Sequence, residues 1–222
     1  LELIYRGVDP QAFPHGYQPD ASWRAAWQQA YPQLLGKRVL TLPGRITRLK
    51  GHEVFLELMR SLRAVGEPVH GLIVGGAEAR KQAYLQELQG RVAAMGLASD
   101  ITFTGLRSDI REVMAVSDVV LSLSSQPESF GRTTLEALAL GVPVVGWAFG
   151  GVGDILARMY PHGAVPRDDR EALQQRVQAV LRAQGSAQAI LPGAVPDDFL
   201  LATMCRRTLD LYARLAAGRA SH

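Results

Sequence analysis

The residues best suited to chemistry lie in two short segments, each following an apolar run and leading into an amphipathic one. The first is Gly44-Arg45-Ile46-Thr47-Arg48-Leu49-Lys50-Gly51. Gly44 allows a tight turn. Arg45 and Lys50 place two cations beside a helix start, whose free backbone N–H groups add partial positive charge. That combination outlines a diphosphate clamp. It is not a Walker loop, because Leu49 stands where a glycine should precede the lysine and Gly51 replaces the Ser/Thr. Taken alone, the segment reads equally well as a solvated loop with ordinary surface cations.

The second segment is Glu128-Ser129-Phe130-Gly131-Arg132-Thr133-Thr134-Leu135-Glu136, in which seven residues separate two glutamates. Glu128 falls in the loop and Glu136 one turn into the following helix. Carboxylates accept hydrogen bonds from paired sugar hydroxyls. Gly131 permits close backbone approach, and the helix start offers N–H donors to phosphate oxygens. One segment can thus hold a sugar, a phosphate and a ribose in a row. A second reading stays open for Glu136, because Thr133-x-x-Glu136 also fits a capping box.

Other signals are weaker. Gly75-Gly76-Ala77-Glu78 and Phe103-Thr104-Gly105 are strand-exit turns. Gly150-Gly151-Val152-Gly153-Asp154 precedes a helix but leaves the dinucleotide fingerprint incomplete, since Leu156 holds its last position. His15, His52, His70 and His162 are scattered without metal-ligand spacing, so no metal site is expected. His52 reads as a first-turn helix residue, Cys205 as a small packing residue, and no G-x-S-x-G elbow occurs.

The elements that must carry these segments follow from periodicity. Strands are expected at Arg38–Leu42, Val69–Val74, Ile101–Phe103, Val119–Leu123 and Val144–Trp147. Helices are expected at Ala21–Tyr31, His52–Arg63, Ala79–Met95, Asp109–Val116 and Thr133–Leu140. Short strands that are apolar on both faces belong in a parallel sheet covered by helices, a Rossmann-like doubly wound α/β fold. Ligands in such folds sit at the carboxyl ends of the strands. Residues 1–36 form an opening segment, 37–191 the core, and 192–222 a proline-containing linker and a final helix at Asp198–Leu215. That helix has apolar residues on more than one face and calls for a partner.

The chain has 222 residues, is 47% hydrophobic and 20% charged, and is expected to form one soluble domain. Its one cysteine excludes an intrachain disulfide and suits a reducing compartment. The net charge of +3 rests almost wholly on arginine and decides little. It permits affinity for phosphates or for an anionic membrane surface. No lysine-rich run or aromatic–basic interleaving points to nucleic acid. Five glycines and Pro143 interrupt the longest uncharged run, Ala137–Gly153, which argues against a membrane span. The chain opens on Leu1 in a hydrophobic stretch without a signal peptide, as expected of a piece of a longer protein.

With these segments in place, the sequence resembles the GT-B-fold retaining glycosyltransferases of family 4 (glycosyl transferases group 1). The resemblance is carried by Gly44-Arg45 with Lys50-Gly51, by Phe103-Thr104-Gly105, and by Glu128 to Glu136 running on into Ala137-Leu138-Ala139-Leu140-Gly141-Val142-Pro143-Val144-Val145. Tyr5-Arg6-Gly7-Val8-Asp9 resembles the family's I-x-N-G-V-D turn, with Arg6 in place of Asn. The resemblance covers nearly the whole chain and implies the C-terminal, donor-binding half of a GT-B fold, with an N-terminal domain missing and the fragment alone inactive.

It further implies a nucleotide-diphosphate-sugar donor (UDP-, GDP- or ADP-linked), no cofactor, and a sugar or lipid-linked acceptor. Arg45 and Lys50 would neutralise the diphosphate, and Glu128 would bind the donor sugar. Ser129 and the backbone of Phe130, Gly131, Arg132 and Thr133 would hold sugar and phosphate, and Glu136 the ribose. Thr104, Gly105 and Leu106, running on to Arg107, would meet the base. Arg132 departs from the usual aliphatic residue and reads either as a third cation in the cleft or as an exposed helix start. The implied setting is bacterial envelope polysaccharide or lipopolysaccharide synthesis, in the cytoplasm, with peripheral contact at the inner face of the membrane as an option. A GT-B epimerase, hydrolase or phosphorylase, and a non-catalytic nucleotide-binding module, are the competing readings.

Overall fold

The structure is a computed structural model that describes residues 2–78 and 81–219. Six strands form one parallel sheet: β1 (Arg38–Pro43), β2 (Val69–Val74), β3 (Ile101–Gly105), β4 (Val119–Ser122), β5 (Val144–Trp147) and β6 (Ala164–Val165). Their order is β3-β2-β1-β4-β5-β6. Every residue of β2, β4 and β5 is buried, as expected of strands sandwiched between helical layers.

The period of two along each strand sorts side chains into the two layers. Leu40, Leu42, Val119 and Leu121 join a core with α2 (His52–Ala64), α3 (Gln82–Ala94) and α7 (Arg170–Ala183). Val39 faces the other way, into the layer of α1 (Ala21–Ala30). Val120 and Val144 pack with α5 (Arg132–Ala139) and α6 (Gly150–Met159), where α4 (Ile110–Ala115) also contributes Met114.

The expected strands and helices form with ends shifted by a few residues, and β2 and β5 match their expected bounds. The first two residues of the expected helix Ala79–Met95 lie outside the described residues. Two elements were not anticipated. β6 is only two residues long, too short for an alternating pattern to register. α7 is strongly polar, yet it buries a stripe of Leu173, Val177, Val180 and Leu181 and has Asp169 as its N-cap.

The close of the chain differs from expectation. Asp197–Phe199 form a single 3-10 turn, and the helix proper, α8, runs from Leu201 to Arg219. Phe199 is therefore not on a helix face. It is fully buried, edge-on to Tyr5 at 5.2 Å and Phe130 at 6.1 Å. Around it the two ends of the chain meet. The Val8 N–H donates to the Phe199 carbonyl and the Leu201 N–H to the Val8 carbonyl, both at 2.9 Å. Leu209, Tyr212 and Leu215 stay exposed on α8. No helix among the described residues is long and apolar enough to cross a membrane.

Truncating Phe199 to Ala should cost about 3–5 kcal/mol in denaturant unfolding, the range for deleting a buried aromatic side chain. Tyr212→Ser on the exposed face should stay within about 0.5 kcal/mol of the parent.

Candidate functional site

β1 and β4 are neighbours, yet the chain leaves β1 toward β2 and leaves β4 toward β5. The exit loops diverge there and open a crevice at the carboxyl edge of the sheet. Both segments singled out in the sequence are these loops, residues 44–51 after β1 and 123–131 after β4.

The loops are tied together. The Ser125 N–H donates to the Leu49 carbonyl at 2.9 Å. Gly51 has φ 76°, and a Cβ there would stand 2.0 Å from the Leu123 carbonyl oxygen, so only glycine lets the two backbones touch. Farther along, the Gly151 N–H donates to the Glu128 carbonyl at 2.8 Å. Gly131 (φ 94°) packs against Val152, where a Cβ would come within 2.8 Å of a side-chain methyl. On the other flank, the Gly44 N–H donates to Val74, Ile46 to Gly76 and Gly75 to Gly105, at 2.9–3.0 Å. The exits of β3, β2 and β1 thus form one continuous rim, with Leu106 86% exposed at its end.

Lys50 and Glu128 meet in the crevice. The ammonium Nζ lies 2.7 Å from Glu128 Oε1, and both side chains are largely buried. The Ser124 hydroxyl donates to the same oxygen at 2.5 Å. Burial pushes the Glu128 carboxyl up, but the hydrogen bonds from Lys50 and Ser124 outweigh it and leave the group below its ordinary value. Arg45 stands apart, 73% exposed, with Nη1 3.3 Å from Glu78 Oε1. The two cations expected beside the helix start thus each face a carboxylate in this structure.

Glu136 lies on α5 with its side chain 15% exposed. The capping-box reading fails. α5 starts at Arg132, its N-cap is Gly131 in the left-handed conformation, and no side chain caps it. A capping glutamate would occupy the third helical position, which here is Thr134. The ion partner of Glu136 is Arg132, Nε to Oε1 3.4 Å, one turn earlier on the same helix. Burial raises the carboxyl above its ordinary value and Arg132 only partly offsets this. Arg132 is 75% exposed and turned along its own helix, in keeping with the helix-start reading.

The remaining candidates sort by burial. Phe130 is a core side chain that offers the site its backbone alone. Ser129 is exposed and Thr133 half-buried. Thr104 donates from Oγ1 to the Gly105 carbonyl at 3.2 Å. Gly150 to Asp154 is the first turn of α6 and not a loop before it. His52 is buried, hydrogen-bonded through Nδ1 to the Thr47 carbonyl and edge-on to Tyr84. Burial lowers its pKa to about 4, so at neutral pH it is an uncharged packing residue. Cys205 is exposed on α8 and not a packing residue. No group of three or more His, Cys, Asp or Glu able to hold a metal ion occurs among the described residues. The sequence does not mark Ser124 or Glu78 as partners of Glu128 and Arg45: the first contact depends on how the loop after β4 folds back on itself, and the second joins the exits of β1 and β2.

The sequence matches the profile of the family described as "Glycosyl transferases group 1" over residues 24–192, most of the chain. This chain belongs to that family. The chain is 32% identical over 195 residues to the 2-deoxystreptamine N-acetyl-D-glucosaminyltransferase of Streptomyces fradiae, covering 84% of this chain and 44% of that protein. It is 28% identical to the lipopolysaccharide core biosynthesis mannosyltransferase LpsB of Rhizobium meliloti, covering 69% and 42%. The chain thus spans under half the length of these curated relatives. Its fold superposes on Anabaena HepE, solved in complex with UDP and glucose, with a TM-score of 0.80 at 23% identity, covering 96% of this chain and 56% of that one. The Rossmann-like sheet is the one found in GT-B glycosyltransferases.

Lys50→Met should strand the Glu128 carboxylate and lower stability at pH 7 by roughly 1–2 kcal/mol, between exposed and fully buried pairs. Adding Glu128→Gln should recover much of the loss, as a double-mutant cycle in denaturant can show. The sign with pH follows from linkage. The folded pKa of Glu128 lies below the ordinary 4.5, so its contribution is full above that value and lost as pH falls through the folded pKa. Unfolding curves of Lys50→Met should lack that acid-side loss.

Proposed function

We propose that this chain is the donor-binding domain of a retaining, family 4 glycosyltransferase, with the acceptor-side groups in another part of a longer protein. The Lys50–Glu128 pair in the crevice between β1 and β4 carries this reading, because it sets a phosphate-seeking cation against a hydroxyl-seeking carboxylate at one point. A nucleotide-diphosphate-sugar laid along the carboxyl edge would place its base at Thr104 to Leu106 and its ribose at Glu136. Its diphosphate would lie between Lys50, Arg45 and the start of α5, and its sugar at Glu128. Residues 1–222 form the one donor domain, of which 37–191 are the core.

Binding draws Lys50 from Glu128 onto the diphosphate, and the freed carboxylate then accepts sugar hydroxyls. The bond between the anomeric carbon and the phosphate oxygen breaks, and charge builds on the departing diphosphate. Lys50 and Arg45 stabilise that charge most at the transition state. The acceptor oxygen bonds to the anomeric carbon on the same face, and its proton passes to the departing phosphate oxygen, so configuration is retained. Cationic side chains and a helix start do here the work a divalent metal does elsewhere. Envelope polysaccharide or lipopolysaccharide assembly on the cytoplasmic side is the setting we favour, supported by the Rhizobium relative.

Calorimetric titration with UDP, GDP, ADP and their sugars should find one nucleotide family that binds equally well with and without EDTA. Strict dependence on Mg²⁺ or Mn²⁺ would overturn the metal-free site.

Glu136→Gln separates function from stability. It should weaken the cognate nucleotide by ~1.5–3 kcal/mol, the range for hydrogen bonds to a charged group, and leave pyrophosphate binding unchanged. It should also stabilise the unliganded protein at neutral pH. The folded pKa of Glu136 is raised, so ionising it costs stability above that pKa and nothing well below the ordinary carboxylate range. An unchanged nucleotide Kd would remove the ribose role.

A further inference from the structure

Arg167 lies in the turn between β6 and α7, outside both sequence segments. Its Nη2 donates to the Ser125 carbonyl at 2.9 Å, and its guanidinium carbon sits 4.4 Å from the centre of the Phe149 ring. Its Nε faces Asp168 Oδ2 at 3.2 Å. Ser125 belongs to the loop that carries Glu128, and Phe149 lines a small recess with Ser124, Glu128 and Trp147. The Ser125 peptide is therefore held from both sides, its N–H by Leu49 and its carbonyl by Arg167. The loop bearing Glu128 is strung between the phosphate side of the crevice and the β6 turn.

The turn that presents Arg167 is itself unusual. Asp168 has φ 62°, the one non-glycine residue with positive φ among those described. Aspartate tolerates this region better than most residues, but still at a cost. Arg167 and Asp168 are both substantially exposed, at 42% and 60%. A surface ion pair of this kind contributes little to global stability. Its consequence is local, on the aim of the loop it holds. The sheet order adds direction, because β6 lies beyond β4 and β5, on the side away from β1, β2 and β3. A contact from β6 reaches the Glu128 end of the ligand and not the base end.

We propose that Arg167, aimed by Asp168, is a positioning residue for the sugar half of the cleft: it fixes the Ser124–Gly131 loop so that Glu128 meets the donor sugar. This rests on the sugar role given to Glu128 above. Loss of Arg167 should therefore reduce recognition of the sugar and spare that of the nucleotide.

The test compares wild type, Arg167→Ala, Arg167→Lys, Asp168→Gly and Glu128→Gln by calorimetry. The probes are whichever of UDP, GDP or ADP binds wild type, and its sugar conjugates. Arg167→Ala should hold the nucleoside diphosphate within about twofold of wild type and bind the sugar conjugate about tenfold more weakly, roughly one charge-assisted hydrogen bond. Amide exchange should quicken across Ser124–Gly131 with the melting temperature nearly unchanged. Arg167→Lys should fall between, since an ammonium reaches the Ser125 carbonyl but does not also cover Phe149 and pair with Asp168. Asp168→Gly keeps the backbone conformation, removes the carboxylate, and should shift sugar affinity in the same direction. Equal loss of nucleotide and sugar conjugate in Arg167→Ala, or no loss of either, overturns the proposal. A sugar-specific loss in Glu128→Gln without one in Arg167→Ala overturns the role of Arg167 alone. A wild-type chain that binds no nucleotide overturns both readings.

Discussion

Everything at the candidate site depends on one topological constraint, the reversal of strand order between β1 and β4. A parallel sheet aligns all its carboxyl ends on one edge, but only at a reversal do two adjacent exit loops part and leave a crevice. Here the crevice is narrow, because Gly51 lets the start of α2 rest on the backbone of Leu123. That contact brings Lys50 within hydrogen-bonding distance of Glu128. Glycine at position 51 and the charge pair are two consequences of the same close approach.

The site is also where the electrostatics work against the fold. Glu136 is a mostly buried carboxylate whose ion partner among the described residues, Arg132, is exposed and stands 3.4 Å away. A residue chosen for stability alone would not carry a charge there, because burial disfavours the ionised form. Glu128 escapes that penalty by pairing with Lys50 and Ser124. The two glutamates of one motif thus differ in electrostatic state, one held below its ordinary pKa by its partners and one raised above it by burial. Sites of function are where such local conflicts are tolerated.

The ends of the chain supply a separate piece of architecture. The backbones of Val8 and Leu200 pair, and Phe199 closes over the junction against Tyr5 and Phe130. Phe130 belongs to the loop between the two glutamates, so the joined ends buttress the site from below. α8 then leaves this junction with Leu209, Tyr212 and Leu215 exposed.

The sequence by itself determined five of the six strands, their parallel α/β class and the loops that leave them. Runs such as Val69–Val74 and Val144–Trp147 are apolar at nearly every position, and only a strand buried on both faces requires that. Helical spacing in His52–Arg63 marked α2, Gly44 a tight turn after β1, and Gly131 a close backbone approach before α5. Both segments expected to carry chemistry came to the carboxyl edge, because strand–helix alternation alone sends them there. What the sequence left open turned on contacts between residues far apart in the chain. Two readings of Glu136 fitted the same spacing until the helix start at Arg132 excluded the capping box. The β6 strand carries too few residues to show a period, and α7 too many polar ones. Phe199 reads as one more apolar residue of a helix, and only its packing shows it to be the lock between the chain ends. Which cation meets which carboxylate was settled by tertiary structure. Spacing along the chain says nothing of the 78 positions that separate Lys50 from Glu128, or of the 42 between Ser125 and Arg167. Periodicity is a local property of the chain; charge pairing across a crevice is set by how the loops approach in space.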